Sequence, residues 1–243
     1  MSKALVVLSG GQDSTTCLFW AKERFDEIYA VSYDYGQKHA IELEAAKKVA
    51  ELAGVKEHVI IKVGDILQGT SPLTNKTEKL EQYDDMFSLP GGLEKTFVPG
   101  RNALFLVLAA NHAYVRGISD LVTGVCQEDS GGYPDCRQAF VSSLEHALYR
   151  GFDHSFMIHT PLMWTTKAAS IAIAQRLPGC MEALAYSHTS YDGQYPPVGS
   201  DHATLLRAKG FFEAGVPDPL VVRACVEGLM PWPDTTNYDG VRQ

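Results

Sequence analysis

The chain has 243 residues, 45% of them hydrophobic, and carries 29 acidic against 21 basic side chains for a net charge of −8 at neutral pH. That is enough apolar sequence for a large buried core, and one α/β domain with a smaller appendage is expected. The acidic balance, with a pI near 5.5, argues against a stable nucleic-acid partner held by counterion release. No run of about eighteen apolar residues is present to span a bilayer. Met1-Ser2-Lys3 leads into an apolar strand rather than a signal peptide, so a soluble, cytoplasmic protein is expected. Cys17, Cys126, Cys136, Cys180 and Cys225 are odd in number, scattered and without a CxxC pair, which fits a reducing compartment and offers no local zinc pattern.

In chain order, the run Leu5-Val6-Val7-Leu8 lies in a strand predicted over Lys3 to Leu8. It delivers Ser9-Gly10-Gly11-Gln12-Asp13-Ser14 to the end of a sheet, and a helix is predicted from Asp13 to Arg24. Paired glycines let the backbone approach a ligand closely. The two serines add hydroxyls, and the N–H groups of an opening helix attract anions. The turn lacks the lysine of a GxxxxGK[ST] loop and the spacing of GxGxxG. It reads as a pyrophosphate cradle; the plainer alternative is a Ser/Gly turn with Asp13 as a helix-start residue. Strands over Glu27 to Tyr33 and His58 to Val63, with a helical stretch from His39 to Ala53 between them, complete a run that implies a parallel sheet with right-handed crossovers. Ligands of such sheets lie beyond the strands' carboxyl ends, so Ser9 to Ser14 and Tyr33 to Lys38 should meet at one crevice.

Residues 64–96 are polar and irregular, and read as a lid or interaction loop or, equally, as a disordered insertion. A helix is predicted over Ala103 to Val115 with Leu104 and Leu108 facing the core, then a strand over Asp120 to Val125. Pro134 starts a helix reaching Tyr149. A short strand over Phe156 to His159 and a helix over Lys167 to Arg176 follow. Beyond Pro178 the texture changes to Tyr, Ser, Gly and Pro, with a helix over His202 to Ala214. Met230 to Gln243 reads as an extended tail packed on a neighbouring subunit through Trp232 and Tyr238, so a homo-oligomer is expected. The division expected is 1–178 for a nucleotide-binding domain and 179–243 for a C-terminal helical region.

Further residues carry chemistry by type and place. Arg101, on a Pro-Gly turn at a helix start, suits a carboxylate or phosphate through its planar fork. Asp135 and Arg137 flank Cys136; the acid suits the donor-rich edge of a guanine-like base, or else the two pair with each other. Lys167 opens a late helix and suits pyrophosphate charge, and Asp13 is placed either to help bind Mg²⁺ or to cap the helix. Cys126 follows a strand and a glycine but has no evident histidine partner, and covalent catalysis is not assigned to it.

Five ordered segments, L-S-G-G-Q-D-S-T-T from Leu8 to Thr16, Y-D-Y-G-Q from Tyr33 to Gln37, F-V-P-G-R-N from Phe97 to Asn102, T-G-V-C with G-Y-P-D-C-R from Thr123 to Arg137, and T-P-L-M-W-T-T-K-A from Thr160 to Ala168, resemble the 7-cyano-7-deazaguanine synthase (QueC) family of PP-loop ATP pyrophosphatases. The resemblance implies a Rossmann-like PP-loop sheet with helices on both faces and a small C-terminal helical appendage. It implies an ATP-dependent ligase, with Mg²⁺, that turns 7-carboxy-7-deazaguanine and ammonia into the nitrile through adenylated acid and amide. A variant that stops at the amide or takes a related acid is a close alternative, and a tRNA-modifying enzyme a more distant one that the acidic balance disfavours. On the matching segments, ATP contacts are expected from Leu8, Ser9, Gly10, Gly11, Gln12, Asp13, Ser14 and Thr15. Substrate contacts are expected from Tyr35, Gln37, Arg101, Tyr133, Asp135 and Arg137, and catalytic roles from Asp13, Arg101 and Lys167.

The chain departs from the family's pattern further on. Members carry four zinc-binding cysteines, and the corresponding positions here are Ser190, Val198, Asp201 and Thr204. Valine cannot ligate, and serine and threonine are poor zinc ligands, so zinc is not expected. His188, Asp201 and His202 are the residues from which a replacement site would be built. Ala169 stands where the family has Glu. Without a metal, packing of Tyr191, Tyr195 and Leu205 to Phe212, or an oligomer contact, must supply the folding energy that zinc contributes.

Overall fold

A computed structural model describes the chain apart from residues 37–40, 65, 68–70, 76–78, 88, 90–92, 128–131, 192 and 243. Strand β1 (Lys3–Val7) is buried because it has a neighbour on each side: β2 (Glu27–Asp34) and β4 (Asp120–Val122). Outside these lie β3 (Glu57–Lys62) and β5 (Met157–His159), giving a five-stranded, wholly parallel sheet in the order β3-β2-β1-β4-β5. A strand covered on both faces reads as a continuous apolar run, which is why β1 and β2 were visible in the sequence. Alternation still sorts their side chains. Ala4, Val6 and Ile28 enter one core, and Leu5, Tyr29 and Val31 enter the other.

The first core is closed by α1 (Gln12–Lys22), α2 (Ile41–Ala53), α5 (Lys167–Arg176), α6 (Cys180–Leu184) and Phe211 of α7 (His202–Ala214). Residues on both sides of position 178 therefore share one core. The second is closed by α3 (Arg101–Tyr114) and α4 (Gln138–Phe152), the latter preceded by a 3₁₀ turn at Pro134–Cys136 rather than starting at the proline. The inward face of α3 is Leu106, Ala109, Ala110 and Ala113; Leu108 packs partly against this core, and Leu104 is only half-buried. The helix starts at Arg101, so its small residues, rather than Leu104, face the sheet and let α3 approach closely. Among the described residues of 64–96 there is no helix or strand. The segment docks on the start of α7: Tyr83 N donates to Ser200 O at 2.9 Å, Ser200 Oγ donates to Gln82 Oε1 at 2.7 Å, and the His202 ring lies 3.4 Å from Glu94.

The C-terminal chain turns back on itself through α8 (Pro219–Val226), which Asp218 caps by accepting from Leu220 N at 2.9 Å. The expected extended tail is instead folded against its own chain. Tyr238 is buried and its hydroxyl accepts from Asp218 N, while Asn237 Nδ2 donates to Phe211 O at 2.9 Å and Val216 O at 3.2 Å. Asn237 thus adds a side-chain donor to the Phe211 carbonyl, which also accepts from Val216 N, and to the carbonyl of Val216 just beyond the helix. Tyr238 is thus spent within the chain rather than offered to a neighbour.

Arg207 and Asp218 form a buried bidentate pair, at 2.6 and 2.7 Å, 3% and 4% exposed. The guanidinium also donates to Ser187 Oγ, Thr189 Oγ1 and Leu184 O, so α6, α7 and α8 meet at one fully bonded cation. Arg207→Ala leaves Asp218 charged, buried and unpaired, and should cost about 3–5 kcal/mol in urea denaturation; a loss below ~1 kcal/mol would contradict this description.

Candidate active site

The carboxyl ends of β1, β2 and β4 open onto a cavity of about 320 Å³. This is where the crossovers leave β1 in opposite directions, the place at which open α/β sheets bind ligands. Its floor is the turn from Leu8 to Ser14. Ser14 Oγ accepts from Ser9 N at 3.2 Å and lies 3.0 Å from Ser9 Oγ and 3.1 Å from the Gly11 carbonyl, so the two serines pin the turn to itself. Gly11 is the N-cap of α1 and brings no side chain to cap it. The first-turn N–H groups of α1 have no intrahelical acceptor and face a concave site suited to anions. Gln12 adds an amide whose oxygen and nitrogen are both buried without a hydrogen-bond partner among the described residues, although the side chain lines the cavity.

Asp13 and Lys167 meet here across 154 residues, with Nζ 2.6 Å from Oδ2. Lys167 is the first residue of α5, where Thr166 caps the helix by accepting from Ala169 N at 3.2 Å. A side chain at Gly210 would come within 2.7 Å of Lys167 Cβ, so α7 packs against the base of the lysine only because that position is empty.

The other end of the cavity is built around Arg101. Tyr35 shares a hydrogen bond with it, and Tyr133, Tyr191 and Glu42 also line this region. Burial works against the guanidinium's charge, but the surrounding phenol oxygens outweigh it and hold the pKa above the usual arginine value. Burial raises the phenol pKa values of Tyr35, Tyr133 and Tyr191, with Arg101 opposing in each. Burial also pushes the Glu42 carboxyl up to about 7, partly offset by Arg101. Phe105 stacks on Tyr33 at 4.2 Å and accepts its hydroxyl at the Phe105 carbonyl, fixing the start of α3 against the end of β2.

Of the residues expected at the site, Leu8, Ser9, Gly11, Gln12, Asp13, Ser14, Tyr35, Arg101, Tyr133 and Lys167 line this one cavity. Gly10 and Thr15 do not. Gly10 faces α2, and Thr15 is fully buried with its hydroxyl donated to Gly11 O at 2.8 Å. Asp135 is buried behind the wall, where Oδ2 accepts from Asn102 N at 3.2 Å and so caps α3; Oδ1 has no partner among the described residues. Arg137 is exposed, donates to Gly132 O, and makes no ion pair with Asp135 among the described residues. Gln37 lies outside the described residues. Cys126 lines the cavity with its thiol donated to Thr165 O at 3.2 Å. Glu42 and Tyr191 were not read as site residues. The sequence signal of the helix bearing Glu42 is its apolar face, and Tyr191 carries only the signal of a packing residue.

The zinc positions do not fit a metal. Asp201, 1% exposed, accepts Ser190 Oγ and Thr204 Oγ1 and caps α7 through Ala203 N and Thr204 N. Val198 is 61% exposed. No cluster of three potential metal ligands occurs among the described residues.

These features define an α/β fold that presents an uncapped helix start, suited to anions, and a paired aspartate and lysine to one crevice. The family model for queuosine biosynthesis protein QueC matches residues 3–215, and the chain belongs to that family. Among its relatives, 7-cyano-7-deazaguanine synthase of Chromobacterium violaceum is 51% identical over 229 residues, 93% of this chain and 95% of that protein. The enzymes of that name from Gloeobacter violaceus and Lysinibacillus sphaericus are 50% and 45% identical, over 90% and 87% of this chain and 96% and 94% of theirs. A solved 4-thiouridine synthetase–RNA complex with bound ATP overlaps 87% of this chain and 53% of its own at 14% identity and a TM-score of 0.49.

The raised Glu42 pKa has a consequence for stability. Its proton is held more tightly in the folded chain than in the unfolded one, so the folded state is favoured below the usual carboxylate pKa near 4.5 and loses that advantage as pH rises to about 7. Glu42→Gln should leave stability at pH 4 little changed and make the protein more resistant than wild type to thermal unfolding at pH 8. Parallel melting curves across that range would argue against the raised Glu42 pKa.

Proposed function

We propose that the chain is a 7-cyano-7-deazaguanine synthase, acting on 7-carboxy-7-deazaguanine, ammonia and ATP. The observation that carries the reading is the joining, in one cavity, of a helix start suited to anions beside Asp13 and Lys167 to a half-buried arginine ringed by phenols. The match to synthases along nearly the whole of both chains supports it.

The β- and γ-phosphates of ATP rest on the N–H groups at the start of α1, and Lys167 neutralises the pyrophosphate as it departs. Asp13 is the carboxylate that would hold Mg²⁺ on those phosphates, adding charge neutralisation. Arg101 receives the substrate carboxylate and aligns it with the α-phosphate. Glu42, which lines the cavity beside Arg101, is the acceptor for the amino and ring N–H groups of the base. The carboxylate oxygen attacks the α-phosphorus and pyrophosphate leaves; ammonia then displaces AMP and gives the amide. A second ATP adenylates the amide oxygen, and loss of AMP with the remaining N–H protons leaves the C≡N bond. Each oxygen of the original carboxylate departs on a separate AMP. Residues 1–178 bind the nucleotide, and residues 179–243 close the crevice beside it.

With ¹⁸O in both carboxylate oxygens, mass spectrometry should find one label in each of two AMP molecules per nitrile. Accumulation of amide with a single labelled AMP would identify the amide-forming alternative, and absence of both products would remove the reading altogether. Lys167→Ala should lower kcat by about 10²-fold or more, measured as pyrophosphate release at saturating ATP; a loss under ~3-fold would deny the lysine its role.

A further inference from the structure

The Asp201 cluster does what a structural metal would do. Asp201 sits in a turn far from any strand, yet it is 1% exposed and its two carboxylate oxygens accept four hydrogen bonds. Oδ1 takes Ala203 N at 3.1 Å and Thr204 N at 3.2 Å, the first-turn donors of α7. Oδ2 takes Thr204 Oγ1 at 2.6 Å and Ser190 Oγ at 3.1 Å, reaching back eleven residues. Three of the four positions that carry zinc ligands in the family are thus joined to one another, and the fourth, Val198, points into solvent with no ligating atom.

The bonds continue inward. The Ser190 carbonyl lies 2.6 Å from His188 Nε2, and His188 N donates to the carbonyl of Gly10 at 2.8 Å. The network therefore ties the start of α7 to the phosphate-binding turn. A carboxylate whose neighbours are all donors is stabilised where it is, whereas a dication there would meet two hydroxyls already directed at the carboxylate and no thiolate. His202, the nearest imidazole in sequence, is turned toward Glu94 at 3.4 Å rather than toward Asp201.

We propose that Asp201, with Ser190 and Thr204, forms a metal-free hydrogen-bond clamp that replaces the family's zinc as the staple of the C-terminal region. Hydroxyl and carboxylate supply by direct bonding the cross-link between residues 190 and 204 that four thiolates would supply through a metal.

The test is elemental analysis and thermal melting of the full-length protein, purified without a metal-affinity step and refolded with added zinc in one arm and with EDTA in the other. The clamp requires less than ~0.1 zinc per chain and identical melting temperatures in both arms. About one zinc per chain, with melting lowered by EDTA, overturns it. Asp201→Asn, which turns an acceptor into a donor at the hub, should lower the melting temperature by at least about 3 °C, as should the milder Thr204→Val, which removes one hydroxyl without changing charge. If Asp201→Asn fails to fold, Thr204→Val alone decides; unchanged melting in the folded variants overturns the clamp.

Discussion

Everything at the site depends on how closely α2 approaches the turn after β1. Gly10 has φ +87°, and a Cβ there would lie 2.4 Å from the Glu42 carbonyl and 2.8 Å from Ala46 N. Real Cβ atoms do not come so near, so only glycine lets the helix and the turn occupy these positions. On the opposite side a Cβ at Gly124 would stand 3.0 Å from Ser14 N, and from a third direction His188 N bonds the Gly10 carbonyl. The turn is thus wedged between α2, the end of β4 and the C-terminal region. It has one direction left in which to present the helix N–H groups, and that is the cavity.

The same wedge explains why the charges are arranged as they are. Asp13 and Lys167 come from elements 154 residues apart, and they meet because α1 and α5 share the first core while Gly210 leaves space for α7 beside the lysine. Held together at 2.6 Å, they offset one another's charge at the cavity wall. Arg101 is treated differently. It has phenols and a carboxyl of raised pKa around it, and its charge is held at the wall of the cavity. Arg207, although it also borders the cavity, is committed to Asp218 and serves the frame.

Much of this was legible in the chain. Strands β1 and β2 are apolar runs because both their faces are covered, and α5 and α7 begin and end where Thr166, Asp201 and Gly215 provide caps. The turn from Ser9 to Ser14 was legible as the step from strand to helix, and Arg101 and Lys167 stand at helix starts as their surroundings in the sequence imply. What escaped was set by tertiary packing. Helices α6 and α8 span five and eight residues, too short for a periodic signal, and are tied together by Arg207 of α7, which bonds the Leu184 carbonyl of α6 and Asp218, the N-cap of α8. Gly10 was read as making room for a ligand when it makes room for α2. Asp135 has the composition of a base reader, but its carboxylate caps α3, a partnership 33 residues away that no local pattern declares. Glu42 was missed for the converse reason, since a polar residue beside an amphipathic stripe resembles any solvated glutamate until the sheet places it beside Arg101.

The most direct measurement is a crystal structure of the protein with a non-hydrolysable ATP analogue. The account requires the β- and γ-phosphates to lie within hydrogen-bond distance of the backbone N–H groups of Gln12 to Ser14, with Lys167 Nζ turned from Asp13 toward them. An analogue bound elsewhere, with the Ser9 to Ser14 turn empty and the Asp13–Lys167 pair undisturbed, would contradict it.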